Sequence, residues 1–224
     1  MSTLAEQVVE QLKTDMDNVY DAGYQKGKSE GGEDFYQYAT ALNFQGAAFP
    51  SGYDLVLNIP NFNGEQSGGF QKSKGLKSIK LICNDRNVST DATNMFSTSN
   101  SILETIDLTE FSTMFRGVIN FCLSQTKLVR VLGDLDVSNV TNFLNIFLVC
   151  NALQEVRFVP KTIKYNIAFA HSPLLSDESI QSIIDGLADL TGQTSQTLTL
   201  HADVKAKLTE EQIATITSKN WTLA

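Results

Sequence analysis

The sequence predicts an α/β solenoid: a leucine-rich repeat with one parallel sheet, an N-terminal helical arm and a helix–strand–helix–strand cap at the C-terminal end. Three observations carry that expectation. Four stretches share one apolar shape: "LKSIKL" from Leu76, "LETIDL" from Leu103, "LVRVLG" from Leu128 and "LQEVRF" from Leu153, with starts 27, 25 and 25 residues apart. A second landmark keeps step. Phe96, Phe121 and Phe147 precede the next leucine by 7, 7 and 6 residues, and Phe169 stands 6 before Leu175. After Leu175 the spacing becomes helical. A period in the twenties with L-x-x-[IV]-x-[LF] is the mark of a leucine-rich repeat. Each unit offers one short strand whose apolar side no unit can bury alone, so units stack. Repeats fall near 76–102, 103–127, 128–152 and 153–175, inside a domain spanning 35–224. Gly133 breaks the rule at the sixth place of its stretch.

Taken in order, residues 1–34 read as a helix and a Gly-rich linker. Ala5, Val9, Leu12, Met16 and Val19 are spaced 4, 3, 4 and 3 apart, a heptad-type stripe that Leu4, Val8 and Tyr20 widen. "DAGYQKGKSEGGED", Asp21 to Asp34, then dissolves the pattern. Two heptads are too few to stand alone in water. The stripe must pack either on the rest of this chain or on copies of itself, which makes these five residues a candidate oligomerisation helix.

"YDLVLNI", Tyr53 to Ile59, alternates with period two and reads as a half-buried strand. "NGEQSGGFQKSKG", Asn63 to Gly75, reads as a surface loop. The repeats follow. In the C-terminal cap, Ser176 is the N-cap candidate of a helix carrying Ile180, Ile183, Ile184, Leu187 and Leu190 on one face and stopped by Gly192. "TLTL" from Thr197 is the next strand. "TEEQ" from Thr209 fits a capping box for a helix carrying Ile213 and Ile216, and "NWTLA" is the last strand.

Composition narrows the function classes. The net charge of −8 and the pI near 4.7 give no basic footprint for nucleic acid. No apolar run approaches the roughly 20 residues of a membrane span. The opening "MSTLAEQVVEQLKTDMDNVY" has acids where a signal peptide needs an apolar run. Cys83, Cys122 and Cys150 form no CxxC, and His171 and His201 lie 30 residues apart. The cysteines read as buried free thiols, and neither a metal site nor a cofactor is expected.

"LDVSNVTNFLNIFLVCNAL", Leu135 to Leu153, resembles the BspA-like leucine-rich repeats of bacterial surface proteins, phages and prophages. Leu135, Asp136, Ser138, Asn139, Val140, Thr141 and Asn142 match the first half of that unit. Phe147, Cys150 and Leu153 match the second. "TNMF" from Thr93 and "STMF" from Ser112 are weaker echoes. The last 39 residues, from Gly186, and "VYDAGYQKGKSEGG" near the start are similar to segments of the phage-encoded kind. Val137 and Phe143 depart from the pattern's Thr and Met. The resemblance implies a non-enzymatic structural or interaction protein, a tail-associated phage or prophage virion component. Its partners would be other virion proteins, further copies of the chain through the N-terminal helix, or a host-surface protein or glycan. The alternative is a bacterial cell-surface or secreted adhesion module, which needs an export signal. A tail-borne glycan hydrolase ranks third.

Apparent chemistry reduces to structure. The sequons at Asn87 and Asn139 read as turn chemistry. "DRNVSTD", Asp85 to Asp91, lacks the glycine and closing Glu of a calcium loop. His171, two residues before Pro173, reads as a turn. No phosphate loop, G-x-S-x-G or H-E-x-x-H occurs. The candidate binding face is the row of outward strand positions: Ser78 and Lys80, Thr105 and Asp107, Arg130, Glu155 and Arg157, then Thr197 and Thr199, with Lys80, Asp107, Arg130, Glu155 and Arg157 as its charged members.

Overall fold

The computed structural model describes residues 36–37, 44–58, 69–83, 89–97, 102–111 and 114–224. The predicted N-terminal stripe, Asn87 and Asp85–Val88 lie outside them. The chain is an α/β protein built mostly of parallel strands. In order they are β1 (Tyr36–Gln37), β2 (Ala48–Asn58), β3 (Lys74–Cys83), β4 (Ser89–Asp91), β5 (Thr105–Phe111), β6 (Met114–Gly117), β7 (Arg130–Leu135), β8 (Glu155–Phe158), β9 (Ile167–Phe169), helix α1 (Asp177–Gly186), β10 (Gln196–Leu200), helices α2 (Ala202–Lys205) and α3 (Glu210–Ser218), and β11 (Trp221–Leu223).

All four L-x-x-[IV] stretches enter strands of one six-stranded sheet, ordered β1-β2-β3-β5-β7-β8. Every pairing is parallel; Thr105 meets Arg130 and Arg130 meets Glu155, a step of one unit each time. The expectation of a single sheet is corrected. β4 and β6 form a separate pair, and β9, β10 and β11 a separate three-stranded sheet.

The return paths also stack. Phe44 N–H donates to Gly69 O, Phe70 to Met95 O, Phe96 to Phe121 O and Cys122 to Ile146 O, at 2.7 to 2.9 Å. These bonds bridge segments 24 or 25 residues apart, so turn backbone buried on the core finds its partners in the neighbouring segment. Asn94, Asn120 and Asn145 sit at the bends with φ of 57°, 53° and 56°, a region asparagine tolerates. Their amides form a ladder: Asn120 donates to Asn94 at 3.0 Å and Asn145 to Asn120 at 3.1 Å.

Inside runs a column of phenylalanines. Successive ring centroids from Phe44 through Phe70, Phe96, Phe121 and Phe147 to Phe169 are 5.3, 5.4, 5.2, 6.3 and 5.6 Å apart. Phe70 corrects the reading of Asn63–Gly75 as surface loop: it is 2% exposed and belongs to this column. The glycines around Phe70 concealed its phase.

A second column lies three residues before each repeat leucine. The Gln125 amide donates to Phe96 O, the Cys150 thiol to Cys122 O at 2.8 Å, and the Ser172 hydroxyl to Cys150 O at 3.4 Å. Gly133 belongs at its place because β7 closes on β5. Its φ is +93°, and a Cβ there would stand 2.6 Å from Leu108 C and O.

α1 closes the sheet edge with serine hydroxyls. Ser179 accepts from Val156 N–H at 3.0 Å and donates to Gln154 O at 3.0 Å; Ser182 accepts from Phe158 N–H at 3.0 Å. The β8 edge is thereby paired without a further strand. Ser179→Ala would leave a buried N–H and a carbonyl short of a partner, at a cost of about 1–3 kcal/mol. Chemical denaturation measures it, and a loss below about 0.5 kcal/mol would mean water replaces the hydroxyl.

Ser176 caps α1 and Thr209–Gln212 forms the capping box of α3, as the sequence predicts. The helix predicted to run to Gly192 stops instead at Gly186. Leu187 turns extended to form a parallel bridge with Ile163, and Gly186 fits where a Cβ would crowd Phe158 and Ile163 at 3.0 Å. The Lys219 ammonium takes over the freed carbonyls, donating to Ile184 O at 2.8 Å and Leu187 O at 3.1 Å.

Candidate functional site

Strand pairing brings the five charged candidates onto one face of the six-stranded sheet. One row runs Asp54, Ser78, Thr105, Arg130 and Glu155 in register; the next runs Val56, Lys80, Asp107 and Leu132. Arg157 stands two residues beyond Glu155 and pairs in register with Asp134. Thr197 and Thr199 do not continue this ribbon. They lie on β10, in the three-stranded sheet, because α1 rather than β9 occupies the edge of β8.

The face is largely satisfied by itself. Lys80 pairs with Glu110 at 2.6 Å and the Arg157 Nε with Asp134 at 3.3 Å. Ser78 donates to Asp54 at 2.6 Å. Asp107 accepts from the Thr109 hydroxyl at 2.6 Å and from its N–H at 2.9 Å. Spacing within one strand names the outward residues, but Asp54, Glu110 and Asp134 become partners only across the sheet. Asp54, Asp107, Glu110, Asp134 and Glu155 outnumber Lys80, Arg130 and Arg157, so the local field repels polyanions. The ion pairs are exposed and worth at most about 1 kcal/mol each. A partner can displace them at small cost.

The other features singled out in the sequence resolve as structure. Asp136 accepts from Ser138 N–H at 3.0 Å and from its hydroxyl at 2.6 Å, which makes the "DVSN" stretch a turn, with the exposed Asn139 beside it. His171 is exposed in a turn. His201 caps α2, accepting from Asp203 N–H at 3.2 Å.

All three thiols are free and buried. Burial pushes Cys150 up to about 12, against a lesser pull from the Gln125 N–H, and burial also holds Cys122 well above the ordinary thiol range, with Cys150 adding to it. Both stay protonated at neutral pH and are poor nucleophiles. The folded values exceed the unfolded one. Their contribution to stability is therefore whole below about pH 8.5 and is lost as pH rises toward 12. A thiol-specific chromogenic reagent at pH 7.5 should label none of the three cysteines in the native chain and all three in denaturant; fast native labelling of Cys122 or Cys150 would contradict their burial.

Among the described residues, no cluster of His, Cys, Asp or Glu could hold a metal ion, and no helix is long and apolar enough to cross a membrane. Fold and face together define an α/β protein of stacked parallel strands that carries a self-paired polar sheet face. Comparison with protein-family models, curated proteins and solved structures finds no match.

Proposed function

We propose that this chain is a leucine-rich-repeat solenoid of the BspA-like kind, acting as a non-enzymatic structural and interaction protein in a phage or prophage particle, associated with the tail. The observation that carries the architectural reading is the agreement of four ladders at one period. Strand pairing, turn hydrogen bonds, the asparagine amides and the phenylalanine rings all step by 22 to 27 residues. Such stacking yields a long, regular scaffold. The self-paired polar face and the inert thiols fit a contact surface better than a reaction centre. The resemblance of Leu135–Leu153 supplies the particle, and the polar face supplies the surface offered to other virion proteins or to a host-surface protein or glycan.

Mass spectrometry of purified particles from a lysogen carrying the gene is the test. Detection at a stoichiometry matching tail proteins supports the proposal. Absence from particles, with recovery from washed bacterial surfaces, overturns it in favour of the adhesion module. Cleavage of cell-wall glycan by the pure protein would overturn the non-enzymatic reading.

A further inference from the structure

We propose that residues 1–20 fold as a helix over the open aromatic end of the core, at Phe44 and Phe49, and cap it within the same chain. The phenylalanine column shows the need. Phe70, Phe96, Phe121, Phe147 and Phe169 are at most 2% exposed. Phe44 stacks on Phe70 like the later rungs, at 5.3 Å with rings 8° apart, yet it remains half-buried because no rung precedes it. Phe49 stands 5.8 Å from Phe44 and is half-buried too. Among the described residues, the strand beyond β2 is β1, two residues long.

The opposite end is shut. Trp221 is 3% exposed and its indole N–H donates to Ala188 O at 2.9 Å; Ile216 of α3 is fully buried beneath it. A stack of parallel units has to shield both end faces.

The chain carries a fitting occupant on the correct side. Ala5, Val9, Leu12, Met16 and Val19 line one face of a segment that needs a partner to become helical. Twenty helical residues span about 30 Å, enough to cross the end of the core. Residues 21–35 lead into β1, beside β2, and can reach up to about 50 Å when extended. A tether of that length holds the stripe near its target at an effective concentration of about millimolar. A second copy in dilute solution cannot compete with that, which favours the cap over a coiled coil between chains. Absence from phage particles would leave this cap untouched, so the two proposals fail separately.

The test uses the full chain and Leu12→Asp, with mass from light scattering and amide exchange read by segment. Both proteins should be monomers. In Leu12→Asp the amides of 44–58 should exchange about tenfold faster or more, while those of 196–223 stay unchanged. Phe49→Ala should accelerate the same segment, and adding Leu12→Asp to it should bring little more. Any oligomer of the full chain that Leu12→Asp dissociates overturns the cap and assigns the stripe to contacts between copies. Unchanged exchange over 44–58 in a monomeric Leu12→Asp also overturns it.

Discussion

Phe121→Ala should cost about 3–5 kcal/mol, the range for emptying a buried aromatic site. Phe121 is 1% exposed and meets three rings, with centroids 5.2 Å from Phe96, 5.8 Å from Phe115 and 6.3 Å from Phe147, all edge-on. Each such pair adds about 0.5–1.5 kcal/mol beyond the area it buries. The backbone around the ring is held by bonds in both directions, Phe96 N–H to Phe121 O at 2.9 Å and Cys122 N–H to Ile146 O at 2.9 Å, so the site cannot collapse to fill the void. Against a typical stability of about 5–15 kcal/mol the loss is large. It also falls mid-column, where it uncouples the units on either side. Urea denaturation should show a lower midpoint and a shallower or split transition, since stacked units unfold together only while their interfaces hold. Leu144→Ala is the control: Leu144 is 58% exposed and its loss should stay within about 0.5 kcal/mol. Equal effects at the two positions would mean the column is not the core.

Gly133→Ala should cost about 3 kcal/mol or more, from two separable causes. The φ of +93° is unfavourable for any residue with a Cβ, by about 1 kcal/mol. The added methyl would also overlap β5 backbone, at 2.6 Å from Leu108 C and O and 2.9 Å from Thr109 N. Backbone cannot swing aside as a side chain can, because β5 is paired with both β3 and β7. Gly192 separates the causes. Its φ is +77°, and a Cβ there meets nothing within 4 Å. Gly192→Ala should therefore lose only the conformational part, about 1 kcal/mol. If the two substitutions cost the same in a denaturation series, β7 does not approach β5 as closely as described.

These two residues mark where sequence reading succeeded and where it stopped. Phe121 was visible because its spacing to Leu128 repeats in neighbouring units. Phe70 belongs to the same column but was hidden among glycines and polar residues, where a single aromatic has no phase of its own. Gly133 looked like a defect in the repeat, since nothing local announces that another backbone will lie against it. Cys150 was expected in an apolar slot and is buried; its thiol bond to Cys122 O depends on a residue 28 positions away. The outward charges of the sheet could be named from period-two alternation. Their partners Asp54, Glu110 and Asp134 could not, because register between strands is not written within a strand.

By itself the sequence determined the period, the inward leucines and phenylalanines, the helix starts at Ser176 and Thr209 and the outward polar row, all properties of spacing along one segment. Only the tertiary structure decided that α1 ends at Gly186, that serine hydroxyls instead of a strand close β8, that the sheet divides before β9, and that the polar face pairs with itself. Each of these turns on which backbone lies alongside, between residues that are distant in the chain. Side-chain periodicity is a local property. Hydrogen-bond satisfaction at an edge, close approach at a glycine and charge pairing across a face belong to the assembled fold.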